Sequence, residues 1–186
     1  MYKNRKCRKN CTSGFTLVEL IVIIGIVGFL SATVITGSHK GLDQRKVILE
    51  TKRLTEDIRK AQNMALSSLR YDCGAKSVED VYPYSGIVFD TSFNDNYSLV
   101  IDCDGDGVYD EAKDISYSTV FLSGSVITEL VPSSPLEIFF MPPLPQISVN
   151  TDTSTTAEIR VCGVNDSTIC RHIYVNPLGS ISIQAH

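Results

Sequence analysis

The chain has 186 residues, 43% of them hydrophobic and 20% charged, which fits one modest globular domain and excludes both a multi-domain enzyme and a disordered, charge-rich polymer. Its formal charge of -4 hides an asymmetry: residues 1–14 carry five basic residues (Lys3, Arg5, Lys6, Arg8, Lys9) and no acidic one, leaving 12 basic against 21 acidic residues, or -9, in the remainder. A body that acidic is a poor match for the phosphate backbone, so no nucleic-acid partner is expected.

The basic start runs into an apolar stretch, Phe15 to Ile35, interrupted by one charge, Glu19. As a helix its 21 residues cover about 32 Å, the thickness of a bilayer's hydrocarbon core. Basic residues ahead of it place residues 1–14 in the cytoplasm and the rest across the inner or plasma membrane. A secretory signal peptide begins the same way, but its apolar region is shorter, about 7 to 15 residues, and Ser31-Ala32-Thr33 is only a weak cleavage site. Glu19 is expensive in such a helix unless a cation pairs with it.

The run Gly14-Phe15-Thr16-Leu17-Val18-Glu19-Leu20-Ile21 resembles the class III signal of type IV pilins and type II secretion pseudopilins. The resemblance implies that a membrane prepilin peptidase cuts between Gly14 and Phe15, that Phe15 is then N-methylated, and that Glu19 neutralises the terminal amine of a neighbouring subunit. Two charges left unpaired in an apolar filament core would each cost several kcal/mol, so the pairing is physically reasonable. The alternative is an uncleaved anchor that happens to begin Gly-Phe-Thr.

From about Lys40 to Leu69 the period stays helical, with Val47, Leu54, Ile58, Ala61, Ala65 and Leu69 forming one apolar stripe. Lys46, Glu50, Lys52, Arg53, Glu56, Asp57, Arg59 and Lys60 fall on other faces and read as a solvated surface, in which Asp57 or Glu56 pairs with Lys60. If both stretches join, residues 15–70 form a helix of roughly 80 Å. Gly37 and Gly41 are places where it would bend. Position 36 is Thr36, where many major pilins carry proline, and that departure favours a minor pilin or pseudopilin.

Beyond Tyr84 the period becomes that of strands, predicted over residues 86–90, 97–102, 115–122, 126–131, 136–141, 158–162, 172–175 and 180–183. One long helix followed by many antiparallel strands predicts an α+β fold whose sheet covers the apolar stripe. The expected segments are a cleaved leader 1–14, a transmembrane and assembly helix 15–36, an exported amphipathic half-helix 37–71 and a disulfide-containing β-rich head 72–186. Phe139-Phe140-Met141-Pro142-Pro143 and the closing Ile173 to Ile183 resemble the late strands of H-type minor pseudopilins and FimT-like proteins. The prolines 142–145 are expected to break a strand and Ser148 to Thr156 to form a surface loop.

Asp102-Cys103-Asp104-Gly105-Asp106-Gly107-Val108-Tyr109-Asp110 sets carboxylates at positions 1, 3, 5 and 9 of a calcium loop, with glycine at position 6. Position 12, where a bidentate glutamate belongs, is Lys113, and Asp114 would substitute only in a distorted loop. Calcium held by Asp102, Asp104, Asp106 and Asp110 and a plain acidic hairpin turn both stay open, the turn being favoured.

Cys7 and Cys11 leave with the leader, and four cysteines remain in an exported domain, where disulfides form. A turn-forming Asn165-Asp166-Ser167 between Cys162 and Cys170 lets them face each other, which leaves Cys73 with Cys103. Zinc is disfavoured, since no Cys-x-x-Cys occurs. Catalysis finds no support either: His39, His172 and His186 show no pairing with a nucleophile, and Gly-x-Ser-x-Gly is absent. The expectation is a non-enzymatic minor pilin or pseudopilin whose partners are other pilin subunits and the prepilin peptidase. Its rivals are a DNA-uptake minor pilin and a membrane-anchored calcium- or ligand-binding protein outside any filament.

Overall fold

The structure is a computed structural model that describes residues 15–67, 73, 83–142 and 146–185, with the side chains of residues 33–40 and 91 outside the description. The leader with Gly14, and Leu69 of the predicted stripe, therefore lie outside the described residues. The chain divides into two compact units, Met1–His39 and Lys40–His186.

One helix, α1, runs Leu17–Leu66. It begins with a capping box: the Glu19 backbone N–H donates to Thr16 Oγ1 at 3.3 Å, and the Thr16 backbone N–H donates back to Glu19 Oε2 at 3.4 Å. In the first unit every described side chain from Phe15 to Ala32 is exposed, including Phe15, Leu17, Ile24 and Phe29. Among the described residues no helix is long and apolar enough to cross a membrane.

In the second unit α1 buries Val47, Leu54, Ile58, Ala61 and Ala65, the predicted stripe, together with Thr51 and Thr55. Both threonines turn their hydroxyls onto the preceding turn, to Val47 O and Thr51 O, which satisfies them without any partner from the sheets. The charged face departs from expectation. Glu50 and Asp43 are buried: Glu50 Oε1 accepts the Ser123 backbone N–H at 3.2 Å, and Asp43 accepts the Asn165 side-chain amide at 3.3 Å. Asp57 and Lys60 also serve elsewhere, Asp57 accepting the Tyr97 hydroxyl and Lys60 lying 5.1 Å from the centre of the Tyr117 ring.

Nine strands follow: β1 Tyr84–Phe89, β2 Asn96–Asp102, β3 Ile115–Phe121, β4 Ser125–Val131, β5 Leu136–Met141, β6 Gln146–Val149, β7 Ala157–Gly163, β8 Cys170–Val175 and β9 Ile181–Ala185. The α+β class holds, but the strands make two antiparallel sheets, β3-β2-β1-β5-β6 and β4-β7-β8-β9, in place of one. The split arises because β4 pairs with β7, while β5, which lies between them in the chain, joins β1 and carries β6 on its other edge. Strand β6 was not expected, and its Ser148 and Val149 are buried in a sheet where a surface loop was predicted. Leu54 and Ile58 of α1, Ile87 and Ile138 of the first sheet, and Ile159 and Ile173 of the second belong to one core.

On the other face of the first sheet Gly86 lets the Phe139 ring lie against β1: a Cβ at Gly86 would stand 2.5 Å from Phe139 Cδ1 and 2.7 Å from the Ile138 carbonyl oxygen. That face, carrying Glu137 and Phe139, also receives the acidic segment between β2 and β3, through a hydrogen bond from the Tyr109 backbone N–H to Glu137 Oε2 at 3.2 Å.

Candidate functional site

Two places in the described chain match residues singled out by sequence. The first is the start of α1, where Phe15 is 75% exposed and Glu19 is exposed within its capping box. An apolar side chain left in water forfeits about 1.5–3 kcal/mol relative to burial, so an exposed run made mostly of them needs an apolar neighbour, lipid or protein. The sequence showed the charge of Glu19 but the capping role was missed, although Thr16-x-x-Glu19 is the pattern that announces it.

The second is the segment between β2 and β3. Asp102, Asp104 and Asp106 bring carboxylate oxygens within 4.8 Å of one another. Asp102 is fully buried and accepts the backbone N–H groups of Gly105 at 2.6 Å and Gly107 at 2.7 Å. Gly105 and Gly107 have φ of 73° and 78°, a conformation glycine adopts without strain, and this brings both N–H groups onto one carboxylate. Burial pushes the Asp102 carboxyl up to about 6, against the pull of those N–H groups. Burial also raises Asp114 and the neighbouring Glu137. Asp104 goes the other way: burial opposes its charge, but the Lys113 ammonium brings it below the ordinary carboxylate range.

Asp110, the fourth predicted ligand, is not among the clustered carboxylates. Its Oδ1 accepts the Ala112 backbone N–H at 2.9 Å, closing its own turn. Asp114 is buried and ties the two ends of the segment together, accepting from Cys103 N at 2.9 Å and Asp110 N at 2.7 Å. Lys113 reaches back across the turn to Asp104 Oδ2 at 3.1 Å and Asp106 Oδ2 at 3.6 Å. The Lys113 ammonium thus already bridges two of the three clustered carboxylates, and a calcium ion there would have to displace it.

Both disulfides are present as expected, Cys73–Cys103 and Cys162–Cys170. Cys162 and Cys170 are direct cross-strand partners of β7 and β8, and Cys103 anchors the acidic segment to Cys73, packed with Ile101, Met64 and Ile115. The sequence missed a polar cluster on the second sheet, where His172 Nδ1 lies 2.6 Å from Glu158 Oε1 and the Tyr174 hydroxyl donates to the same oxygen at 3.2 Å. These residues alternate along β7 and β8, so the period-2 pattern held the signal. A cleft of about 140 Å³ lined by Gln44, Thr168, Arg171 and Ala185 is smaller than the roughly 300–1,000 Å³ of ordinary ligand pockets.

The exposed helix start belongs to a class of chain made to lie against an apolar neighbour. Residues 9–35 match the family described as prokaryotic N-terminal methylation motif, and this supports a type IV pilin-like protein. The motif implies anchoring in the membrane through the N-terminal segment, processing by a prepilin peptidase and association with other pilin subunits, and it indicates a structural subunit. No curated protein and no solved structure matches the chain.

Proposed function

We propose that the chain is a minor pilin or pseudopilin, a structural subunit that initiates, caps or joins a filament of the type IV pilus or type II secretion class. The observation that carries this reading is the methylation motif at residues 9–35 running into a helix start whose described side chains are exposed from Phe15 to Ala32. The precursor waits in the membrane with its second unit exported. Cleavage between Gly14 and Phe15 frees an α-amine, Phe15 is methylated, and Glu19 meets the amine of a neighbouring subunit while apolar side chains pack where lipid was.

Intact-mass analysis of the chain purified from cells that contain a prepilin peptidase tests the reading. Loss of residues 1–14 with a methyl group on Phe15 is expected; a working form that keeps Met1 overturns it and favours an anchored protein outside any filament. The capping box sharpens the test of Glu19. Glutamine serves as well as glutamate in such a box, so Glu19→Gln keeps the cap and removes the charge, whereas Glu19→Ala removes both. Both variants are expected to be processed yet to fail in filament incorporation. Normal incorporation of Glu19→Gln would confine Glu19 to the cap.

A further inference from the structure

The geometry points to Lys113 as the resident cation of the Asp102–Asp114 segment, an exposed ammonium of the chain itself standing in for the metal that a calcium loop of this spacing holds. Three carboxylates with oxygens inside 4.8 Å repel one another unless a positive charge lies among them. Lys113 supplies it from the twelfth position of the loop, the place at which a bidentate glutamate closes a calcium site. Its Nζ lies 3.1 Å from Asp104 and 3.6 Å from Asp106, and one ammonium bridging two carboxylates forms a small network in place of an isolated surface pair.

The neighbouring carboxylates are tied to the backbone of the segment. Both oxygens of Asp102 hold glycine N–H groups, Asp110 Oδ1 closes its own turn, and both oxygens of Asp114 accept backbone N–H groups at the segment's ends. Among the described residues Asp104 Oδ1 is a buried oxygen of the cluster without a hydrogen-bond partner. A calcium ion at these carboxylates would have to displace Lys113 from Asp104 and Asp106. The segment thus keeps the carboxylate spacing of a calcium loop and has exchanged the metal for a side chain, which makes the head unit independent of calcium. This inference does not depend on the proposed filament role.

The test is thermal unfolding of the full chain in detergent, with 1 mM (about physiological) calcium or with chelator, for the wild type, Lys113→Gln and Lys113→Arg. The wild-type midpoint is expected to move by less than about 1 °C between the two conditions, while in chelator Lys113→Gln melts roughly 2–4 °C lower and Lys113→Arg stays with the wild type. A saturable rise of the wild-type midpoint of about 5 °C with calcium overturns the inference, as does a Lys113→Gln chain that melts with the wild type in chelator. Should Lys113→Gln fail to fold, the wild-type calcium titration decides alone.

Discussion

The Tyr97 hydroxyl donates to Asp57 Oδ2 at 2.6 Å, joining the second strand to the C-terminal part of α1. Tyr97 is 1% exposed and its ring lies 5.7 Å from that of Phe89, so the hydroxyl is the only polar end of a core aromatic and the carboxylate is what satisfies it. Burial first, then the Asp57 hydrogen bond and charge, drive the Tyr97 pKa far above the ordinary phenol range, so the phenol stays protonated throughout the working pH range. Tyr97→Phe is expected to cost about 1.5–3 kcal/mol in chemical denaturation, the worth of a hydrogen bond to a charged group. Asp57→Ala should cost a comparable amount, because it strands the buried hydroxyl. The double variant should lose less than the two single losses together, and strict additivity would show that the contact carries no energy.

A second prediction concerns Gly86. Alanine there brings a methyl group 2.5 Å from Phe139 Cδ1 and 2.7 Å from the backbone oxygen of Ile138. The ring can yield but the carbonyl belongs to the sheet, so Gly86→Ala should destabilise by about 1–3 kcal/mol. Adding Phe139→Leu should recover only part of this. Full recovery, seen in the same denaturation series, would mean the ring alone fixes the glycine.

These two contacts show where sequence reading stops. The apolar stripe Val47, Leu54, Ile58, Ala61 and Ala65 was legible because burial follows helical period, and the Cys162–Cys170 bridge because a turn separates two strand-like runs. The burial of Glu50, expected on the solvated face, was not legible because charge type says nothing of a distant donor; the group it meets, Ser123 N, comes from a turn 73 residues away. The second sheet was invisible for the same reason, since β4 finds its partner β7 only after β5 and β6 have gone to the first sheet. Gln146–Val149 is too short and too close to prolines to declare itself a strand. At the acidic segment the carboxylates were legible, but Lys113 was read as a missing ligand when it is the group that balances them.

The two disulfides close loops of different length, with sequence separations of 30 for Cys73–Cys103 and 8 for Cys162–Cys170. Chain entropy assigns about 3.7 kcal/mol to the longer loop and about 2.6 kcal/mol to the shorter. Replacing Cys73 and Cys103 together by serine should therefore lower stability by roughly 1 kcal/mol more than replacing Cys162 and Cys170. The longer bridge also holds Cys103 at the head of the acidic segment, which adds to the difference. Equal losses in urea unfolding would count against a role for loop length.

Stability should fall as pH rises through the mildly acidic range, because burial raises the pKa of Asp102, Asp114 and Glu137. Asp102 has a folded pKa of about 6 against an ordinary 3.8, with burial as the main cause, so between those values the folded state holds a proton that the unfolded chain has released. The stabilisation is fully present below about pH 4 and is lost as pH climbs through about 6. Two pH units correspond to about 3 kcal/mol, an upper figure because the neighbouring carboxylates titrate with it. Asp114 and Glu137, both raised by burial, act in the same direction. Urea midpoints in chelator at intervals from pH 4 to pH 7 should therefore decline. Asp102→Asn should make the decline shallower without removing it, while also weakening the fold because an amide presents one acceptor where Gly105 and Gly107 require two. A wild type whose midpoint rises over that interval would show that Asp102 is charged in the folded state.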